Sequence, residues 1–267
     1  MTFDRDALVT LCGIARDAGA IVKRIYETPF DHWQKGDASP VTEADLQADA
    51  AIRAALRAAF PGIGIVSEEA GVEVEEGANC FFLVDALDGT REFLGRNGEF
   101  TVNVALVRGG RTVAGAVYAP VLDELFYAAE GVGAFRDCGS DRRPLRVSGD
   151  DPQRCVRIIG SRSHRTASMD VWLASLARPY TFVPAGSSLK FCRIAEGCAD
   201  VYPRFGPTNQ WDTAAAQCVL EQAGGRVAAL GGTPLVYGLD RPMLNPSFAA
   251  VGDPALLALL PSGSIPA

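Results

Sequence analysis

Histidine is scarce in this chain: of 267 residues only His32 and His164 carry an imidazole. That excludes a multi-histidine zinc centre and leaves any metal to oxygen donors, so a hard ion is expected, Mg2+ foremost. Cysteine is present without a pattern. The seven (Cys12, Cys80, Cys138, Cys155, Cys192, Cys198 and Cys218) are odd in number, scattered, and form no CxxC pair. Such usage fits a reducing cytoplasm in which thiols act as small buried hydrophobes. No apolar run approaches the roughly 20 residues of a membrane span. The start, Met1-Thr2-Phe3-Asp4-Arg5-Asp6, lacks the basic-then-apolar order of a signal peptide. A cytoplasmic protein is expected, with peripheral contact to the inner membrane left open. There is no GxSxG elbow, and His164 is nearly the only available base, so a serine hydrolase is not expected. Excess positive charge is also missing: the net charge of −7 disfavours nonspecific nucleic-acid binding. A small anionic substrate is still compatible, because bound divalent cations reverse the sign inside a cleft.

What is present is acid at telling intervals: Glu68-Glu69, then Asp85-Ala86-Leu87-Asp88-Gly89-Thr90, then Trp211-Asp212. Asp85 follows the apolar run Cys80-Phe81-Phe82-Leu83-Val84, which reads as a fully buried strand that Asp85 closes. Two carboxylates three residues apart at such an end repel strongly in a low dielectric and call for a cation between them. Gly89-Thr90 comes next, at a predicted helix start whose backbone N–H groups offer a phosphate cradle. The combination points to metal-assisted phosphate chemistry.

Residues 4–27 carry Leu8, Leu11, Ala15, Ala18, Val22 and Ile25 at helical spacing. Residues 31–40 read as a loop. A helix then starts at Thr42, shows Ile52, Leu56 and Phe60 on one face, and stops at Pro61-Gly62. A strand over 63–67 delivers Glu68, and the acidic segment 70–79 reads as a mobile loop. Strands over 100–107 and 112–118 flank a Gly109-Gly110 turn, and 124–129 adds another. Beyond the polar stretch 139–153 the grammar changes. Strands at 156–160, 180–183, 200–204 and 248–251 alternate with helices at 166–177, 188–197, 212–223 and 254–260, which argues α/β. The fold class is therefore α/β, with an α+β N-terminal half (1–140) holding most of the acids and an α/β C-terminal half (141–267) holding Asp212. A site that uses all these acids must lie between the halves.

Each acid also has a plainer explanation. Glu68-Glu69 suits a solvated loop pair, and Asp212 suits a helix cap favoured by the N-terminal dipole. Thr42-Glu43-Ala44-Asp45 suits a capping box with Asp in place of Glu or Gln. His164 suits a surface loop. The phosphate reading uses the same residues differently. Mg2+ is held by a few carboxylates plus substrate phosphate. A carboxylate shared by two cations lets one prepare a water while the other stabilises the leaving oxygen. The Thr90 hydroxyl could orient that water if a carboxylate such as Asp45 polarises it.

Ser39-Pro40-Val41-Thr42-Glu43-Ala44-Asp45, Ser67-Glu68-Glu69, Asp85 to Thr90 and Trp211-Asp212-Thr213-Ala214-Ala215 together resemble the inositol monophosphatase superfamily of Mg2+-dependent, lithium-sensitive phosphatases. The likeness spans nearly the whole chain, in order. Within that superfamily, Arg91-Glu92-Phe93, the run from Arg96 to Asn103, Ser161-Arg162-Ser163-His164, Gly186-Ser187-Ser188-Leu189-Lys190-Phe191-Cys192 and the run from Tyr202 to Asn209 resemble the bacterial CysQ-type 3′(2′),5′-bisphosphate nucleotidases. The resemblance implies a layered αβαβα sandwich and two or three Mg2+ ions held by Glu68, Asp85, the Leu87 carbonyl, Asp88 and Asp212. It implies that Asp45 with Thr90 activates the water and that the Gly89 and Thr90 amides bind the scissile phosphate. His164, Ser187, Lys190 and Arg204 would meet the nucleotide and its retained 5′-phosphate. A second phosphate needs its own cations, which agrees with Lys190 and Arg204. The chain departs at Ala86, where the family usually has proline; slightly looser metal geometry is expected there, not lost function.

The leading expectation is hydrolysis of 3′-phosphoadenosine 5′-phosphate to AMP and phosphate in sulfur metabolism. An inositol monophosphate or sugar-phosphate phosphatase on the same scaffold is the alternative, and a non-catalytic metal-dependent nucleotide sensor a third. The partner expected is a small nucleotide bisphosphate, with no nucleic acid and no integral membrane segment; a homodimer is left open.

Overall fold

The structure, a computed structural model, describes residues 3–30, 32–34, 40–162 and 166–261. The chain begins with helix α1 (Arg5–Tyr26), capped by Asp4, whose side chain accepts the Ala7 N–H. Two short strands, β1 (His32–Gln34) and β2 (Pro40–Thr42), pair antiparallel. Helix α2 (Glu43–Ala59) follows directly, then β3 (Gly64–Ser67), β4 (Gly71–Glu73), β5 (Cys80–Asp88) and the short helix α3 (Thr90–Leu94). An antiparallel meander follows: β6 (Thr101–Arg108), β7 (Arg111–Ala119), β8 (Glu124–Ala129), β9 (Gly133–Cys138) and β10 (Asp141–Pro144). The remainder is β11 (Val156–Ser161), α4 (Ala167–Ser175), β12 (Tyr180–Ala185), α5 (Leu189–Ala195), β13 (Val201–Arg204), α6 (Gln210–Gln222), β14 (Arg226–Ala229), β15 (Phe248–Val251) and a closing 3-10 turn (Pro254–Leu259).

These elements stack as five layers, an αβαβα sandwich. The larger sheet has eight strands in the order β10-β9-β8-β7-β6-β5-β3-β4 and the smaller has five in the order β12-β11-β13-β15-β14. Strand alternation assigns the faces of the larger sheet. Phe82, Val84, Val102, Val104, Leu106, Ala114 and Ala116 pack outward against α1 and α2. Phe81, Leu83, Ala105, Val107, Val117 and Ala119 pack inward against α5 and α6, which fill the space between the sheets. On the far side of the smaller sheet, Ile158, Val201 and Val251 pack with Trp172 and Leu173 of α4. A β-carbon at Gly115 of β7 would lie 2.5 Å from the Ala215 carbonyl oxygen, so α6 rests with its backbone almost on the sheet. The small residues Ala214, Ala215 and Ala216 permit that approach.

Several local expectations change. Segment 31–40 contains β1 and the first residue of β2 within its described residues; strands of three residues are too short to leave a periodic signal. Segment 70–79 is not simply a loop: β4 pairs antiparallel with β3, and as an exposed sheet edge it carries charge where an inner strand would carry apolar side chains. The strand containing Phe81 to Val84 does not close at Asp85 but continues to Asp88, because Ala86 and Leu87 are themselves buried. The polar stretch 139–153 includes the edge strand β10, which extends the larger sheet beyond residue 140. Strand β14 has no counterpart in the sequence reading, and the smaller sheet is mixed: β11, β12 and β13 run parallel, whereas β15 is antiparallel to β13 and β14. The segment 254–260 forms a 3-10 turn in place of an α-helix.

Candidate active site

A cleft of about 310 Å3 opens between the layers, lined among others by Glu68, Asp88, Gly89, Thr90, Ser187, Lys190, Tyr202, Arg204 and Asp212. The strand ends deliver the acids. Along β5, Asp85 pairs with Asn103 of β6 and Asp88 with Thr101, so three residue steps on one strand face two on the other. That one-residue bulge has a direct consequence. In a regular strand, residues 85 and 88 would point to opposite faces; the extra residue turns both toward α5 and α6.

From the other half, Asp212 is the third residue of α6, and its Oδ2 accepts the Asn209 N–H at 2.8 Å, closing a capping box. The helix cap and the cleft position therefore belong to the same side chain. One oxygen each of Glu68, Asp85 and Asp212 lies within 4.8 Å of the others. Burial raises the Asp85 carboxyl well above the ordinary range, and the charges of Glu68, Asp88 and Asp212 push the same way. Asp212 is likewise raised, by burial first and then by Asp88 and Glu68. Asp88 is raised by burial, against the pull of Lys190 and its bond to Ser188. Buried carboxylates that raise one another in this way, all of them hard oxygen donors, fit a divalent cation such as Mg2+. The Leu87 carbonyl adjoins them, 3.4 Å from Thr90 Oγ1, and Leu87 donates its N–H to Asp85 Oδ1 at 3.0 Å.

Asp45 repeats the pattern of Asp212. It is the third residue of α2, and its Oδ2 accepts the Thr42 N–H at 2.8 Å and the Thr42 hydroxyl at 2.6 Å. Its other oxygen, Oδ1, lies 3.5 Å from Thr90 Oγ1. Burial raises the Asp45 carboxyl, only partly offset by the Thr42 bonds. Gly89, between the acids and Thr90, has φ +94°, and a β-carbon there would lie 3.2 Å from the Ser187 β-carbon. Glycine meets both demands.

The same cleft carries cations. Lys190 is only 5% exposed; its ammonium donates to the Ser187 and Ala185 carbonyls and lies 5.3 Å from the centre of the Tyr202 ring. Burial brings its pKa down to about 8, with Asp88 opposing the shift and Arg204 adding to it. Arg204 is braced by Thr208 Oγ1 and the Pro207 carbonyl, both at 2.6 Å. Ser187 has φ +44°, and its hydroxyl accepts from Thr101 at 3.2 Å. His164 lies outside the described residues.

The sequence reading passed over two side chains here. Ser188 Oγ accepts from Asn103 Nδ2 at 2.9 Å and stands 2.9 Å from Asp88 Oδ2 and 2.7 Å from the Asp212 carbonyl, its single hydrogen serving one of them at a time. Asn103 was detectable, as a polar residue inside a strand buried on both faces. Ser188 had no signal of its own beyond its place in the quoted motif.

An αβαβα sandwich with carboxylates gathered between its sheets defines a class of metal-site phosphatase folds, and the chain belongs to the inositol monophosphatase family, whose model matches residues 4–261. The 3′(2′),5′-bisphosphate nucleotidase CysQ of Escherichia coli (strain K12) is 44% identical over 242 residues, covering 89% of this chain and 96% of that protein. The crystal structure of CysQ from Bacteroides thetaiotaomicron superposes with a TM-score of 0.83 at 35% identity, covering 94% of this chain and 98% of that one. The inositol monophosphatase from Anabaena (Nostoc) superposes at 0.79 with 25% identity, covering 97% of each chain.

Proposed function

We propose that this protein is a Mg2+-dependent phosphomonoesterase that hydrolyses 3′-phosphoadenosine 5′-phosphate to AMP and phosphate. The observation that carries the reading is that one cleft is lined both by gathered carboxylates and by the cations Lys190 and Arg204. Glu68, Asp85, Asp88, Asp212 and the Leu87 carbonyl would hold two or three Mg2+ ions, which when bound supply an acidified water and neutralise the scissile phosphate. The chain's own groups do the rest. The Gly89 and Thr90 amides orient the 3′-phosphate, and the Thr90 hydroxyl aligns the attacking water. Asp45, its pKa raised by burial, is a better proton acceptor than an exposed carboxylate and polarises Thr90 through Oδ1. The water's oxygen bonds to phosphorus, the bond to the ribose 3′ oxygen breaks, and a proton passes from water to the leaving side. Lys190, Arg204 and Ser187, with His164, hold the nucleotide by its 5′-phosphate.

The 44% identity to a protein named as a bisphosphate nucleotidase supports this substrate over an inositol phosphate. The site takes its acids from the halves 1–140 and 141–267, two units that meet at it, with β10 of the second stretch completing the sheet of the first. All seven cysteines are free thiols, which supports a cytoplasmic setting, and among the described residues no helix is long and apolar enough to cross a membrane. The test is phosphate release from 3′-phosphoadenosine 5′-phosphate, its sulfated precursor, inositol monophosphate and a sugar phosphate, with Mg2+ and with or without Li+. Fastest turnover of the bisphosphate, blocked by Li+ and lost in Asp88→Asn, is expected. Far faster turnover of inositol monophosphate would overturn the assignment, as would nucleotide binding without Mg2+-dependent turnover.

A further inference from the structure

Helix α2 presents charged residues at intervals of four, Asp45, Asp49, Arg53 and Arg57, which places them along one face. Only the first faces the cleft chemistry described above. Asp49, one turn on, is 2% exposed and meets Ser67, the last residue of β3. Ser67 Oγ donates to Asp49 Oδ1, and Arg53 Nε donates to Asp49 Oδ2 at 2.6 Å. Arg53 continues to Glu73 of β4 at 3.0 Å, where Arg57 also ends. The stripe thus ties α2 to both strands of the β3–β4 hairpin.

The consequence lies in the direction of the Ser67 hydroxyl. Its one hydrogen is committed to Asp49, so its oxygen faces the turn as an acceptor. It receives the Glu69 N–H at 3.1 Å and the Ala70 N–H at 3.3 Å. On the other side, the Glu68 N–H donates to the Val84 carbonyl at 3.1 Å, one residue before Asp85. Glu68 is therefore bracketed, its backbone held to β5 before the side chain and to Ser67 after it. Without a strong acceptor at position 49, the Ser67 hydroxyl is released to rotate and the turn loses its fixed acceptor.

We infer that Asp49 is a positioning residue for the metal site: through Ser67 it locks the 67–70 turn so that the Glu68 carboxylate stands against Asp85 and Asp212 before a cation arrives. The inference rests on the reading of those acids as Mg2+ ligands. Groups that orient metal ligands typically cost about 10–100-fold in metal affinity when removed.

The test is calorimetric titration of the full-length, metal-free protein with Mg2+, paired with its melting temperature, for wild type, Asp49→Asn, Ser67→Ala, Arg53→Gln and Glu68→Gln. Asp49→Asn and Ser67→Ala should each weaken Mg2+ binding about 10-fold. Arg53→Gln, which acts on the far oxygen of Asp49, should lower the melting temperature and leave the Mg2+ affinity unchanged. Wild-type affinity in Ser67→Ala and Asp49→Asn overturns the inference, as does an equal loss in Arg53→Gln, which would mark a merely structural role. If Asp49→Asn does not fold, Ser67→Ala decides. Failure of the wild type itself to bind Mg2+, or full binding by Glu68→Gln, would instead refute the underlying assignment of the ligands.

Discussion

A carboxylate has two oxygens, and at Asp45 and Asp212 one of each belongs to the helix it begins while the residue still serves the cleft. The capping bond restricts the side chain's rotamer, so the oxygen left over points in a defined direction. This is why spacing alone could not choose between a cap and a site acid: the cap forms at both, and it leaves one oxygen free for the proposed site role. Lys190 shows the same economy with opposite charge. Burial brings its pKa down to about 8 from an ordinary 10.5, so it is a cation near neutrality and loses that charge as pH rises past about 8. The KM for the bisphosphate should therefore rise above about pH 8, and Lys190→Met should show a raised KM at neutral pH with no further rise. Initial rates across pH check this; a wild-type KM flat to about pH 9 would remove Lys190 from substrate binding.

At the scale of elements, the bulge in β5 and the seat of α6 set the geometry. Neither was legible from composition. The apolar run before Asp85 announced a buried strand, but the extra residue that aligns Asp85 with Asp88 depends on how β6 pairs with it. The seat of α6 depends on Gly115, which in sequence is one glycine among 28. A β-carbon there meets the Ala215 backbone, which cannot rotate away as a side chain would. Gly115→Ala should thus destabilise the protein by about 1–3 kcal/mol, the usual range for overpacking. Because α6 carries Asp212, weaker Mg2+ binding should accompany the loss. Thermal unfolding and a Mg2+ titration on the same sample check both; an unchanged melting temperature would mean that α6 yields freely.

For the whole molecule, two sets of acids pull stability in opposite directions. Burial alone would raise Glu124 and Asp200, but Arg193 and Arg136 at the first and Arg157 and Arg154 at the second outweigh it and hold both below the ordinary range. Such groups stabilise the fold above the ordinary carboxylate range, and that contribution is lost as pH falls through their lowered values. Asp85 and Asp212 are raised, so their ionisation costs stability as pH rises toward neutrality. Mg2+ at the cleft should remove that cost. At 100-fold excess over its dissociation constant, a ligand adds about 2.7 kcal/mol, several degrees in melting temperature for a chain of this size. Melting curves with Mg2+ or EDTA should show this gain near neutral pH and a smaller gain near pH 5, where protonated acids bind the ion less well. A gain absent at neutral pH would mean that the acids do not form a cation site.

The amino-acid sequence alone determined the helices α1 and α2, the buried strands of the meander, the alternation of the second half and the identity of the acids, because each is written in local periodicity, turn residues or short motifs. Edge strands such as β4 and β10 escaped it, since an element half open to water needs no apolar stripe. Tertiary structure alone decided that Asp212 meets Glu68 and Asp85 across more than a hundred residues, that Ser188 bridges the halves and that Asp49 reaches Ser67. Those are distances between elements, and they exist only once the two sheets have closed on the helices between them.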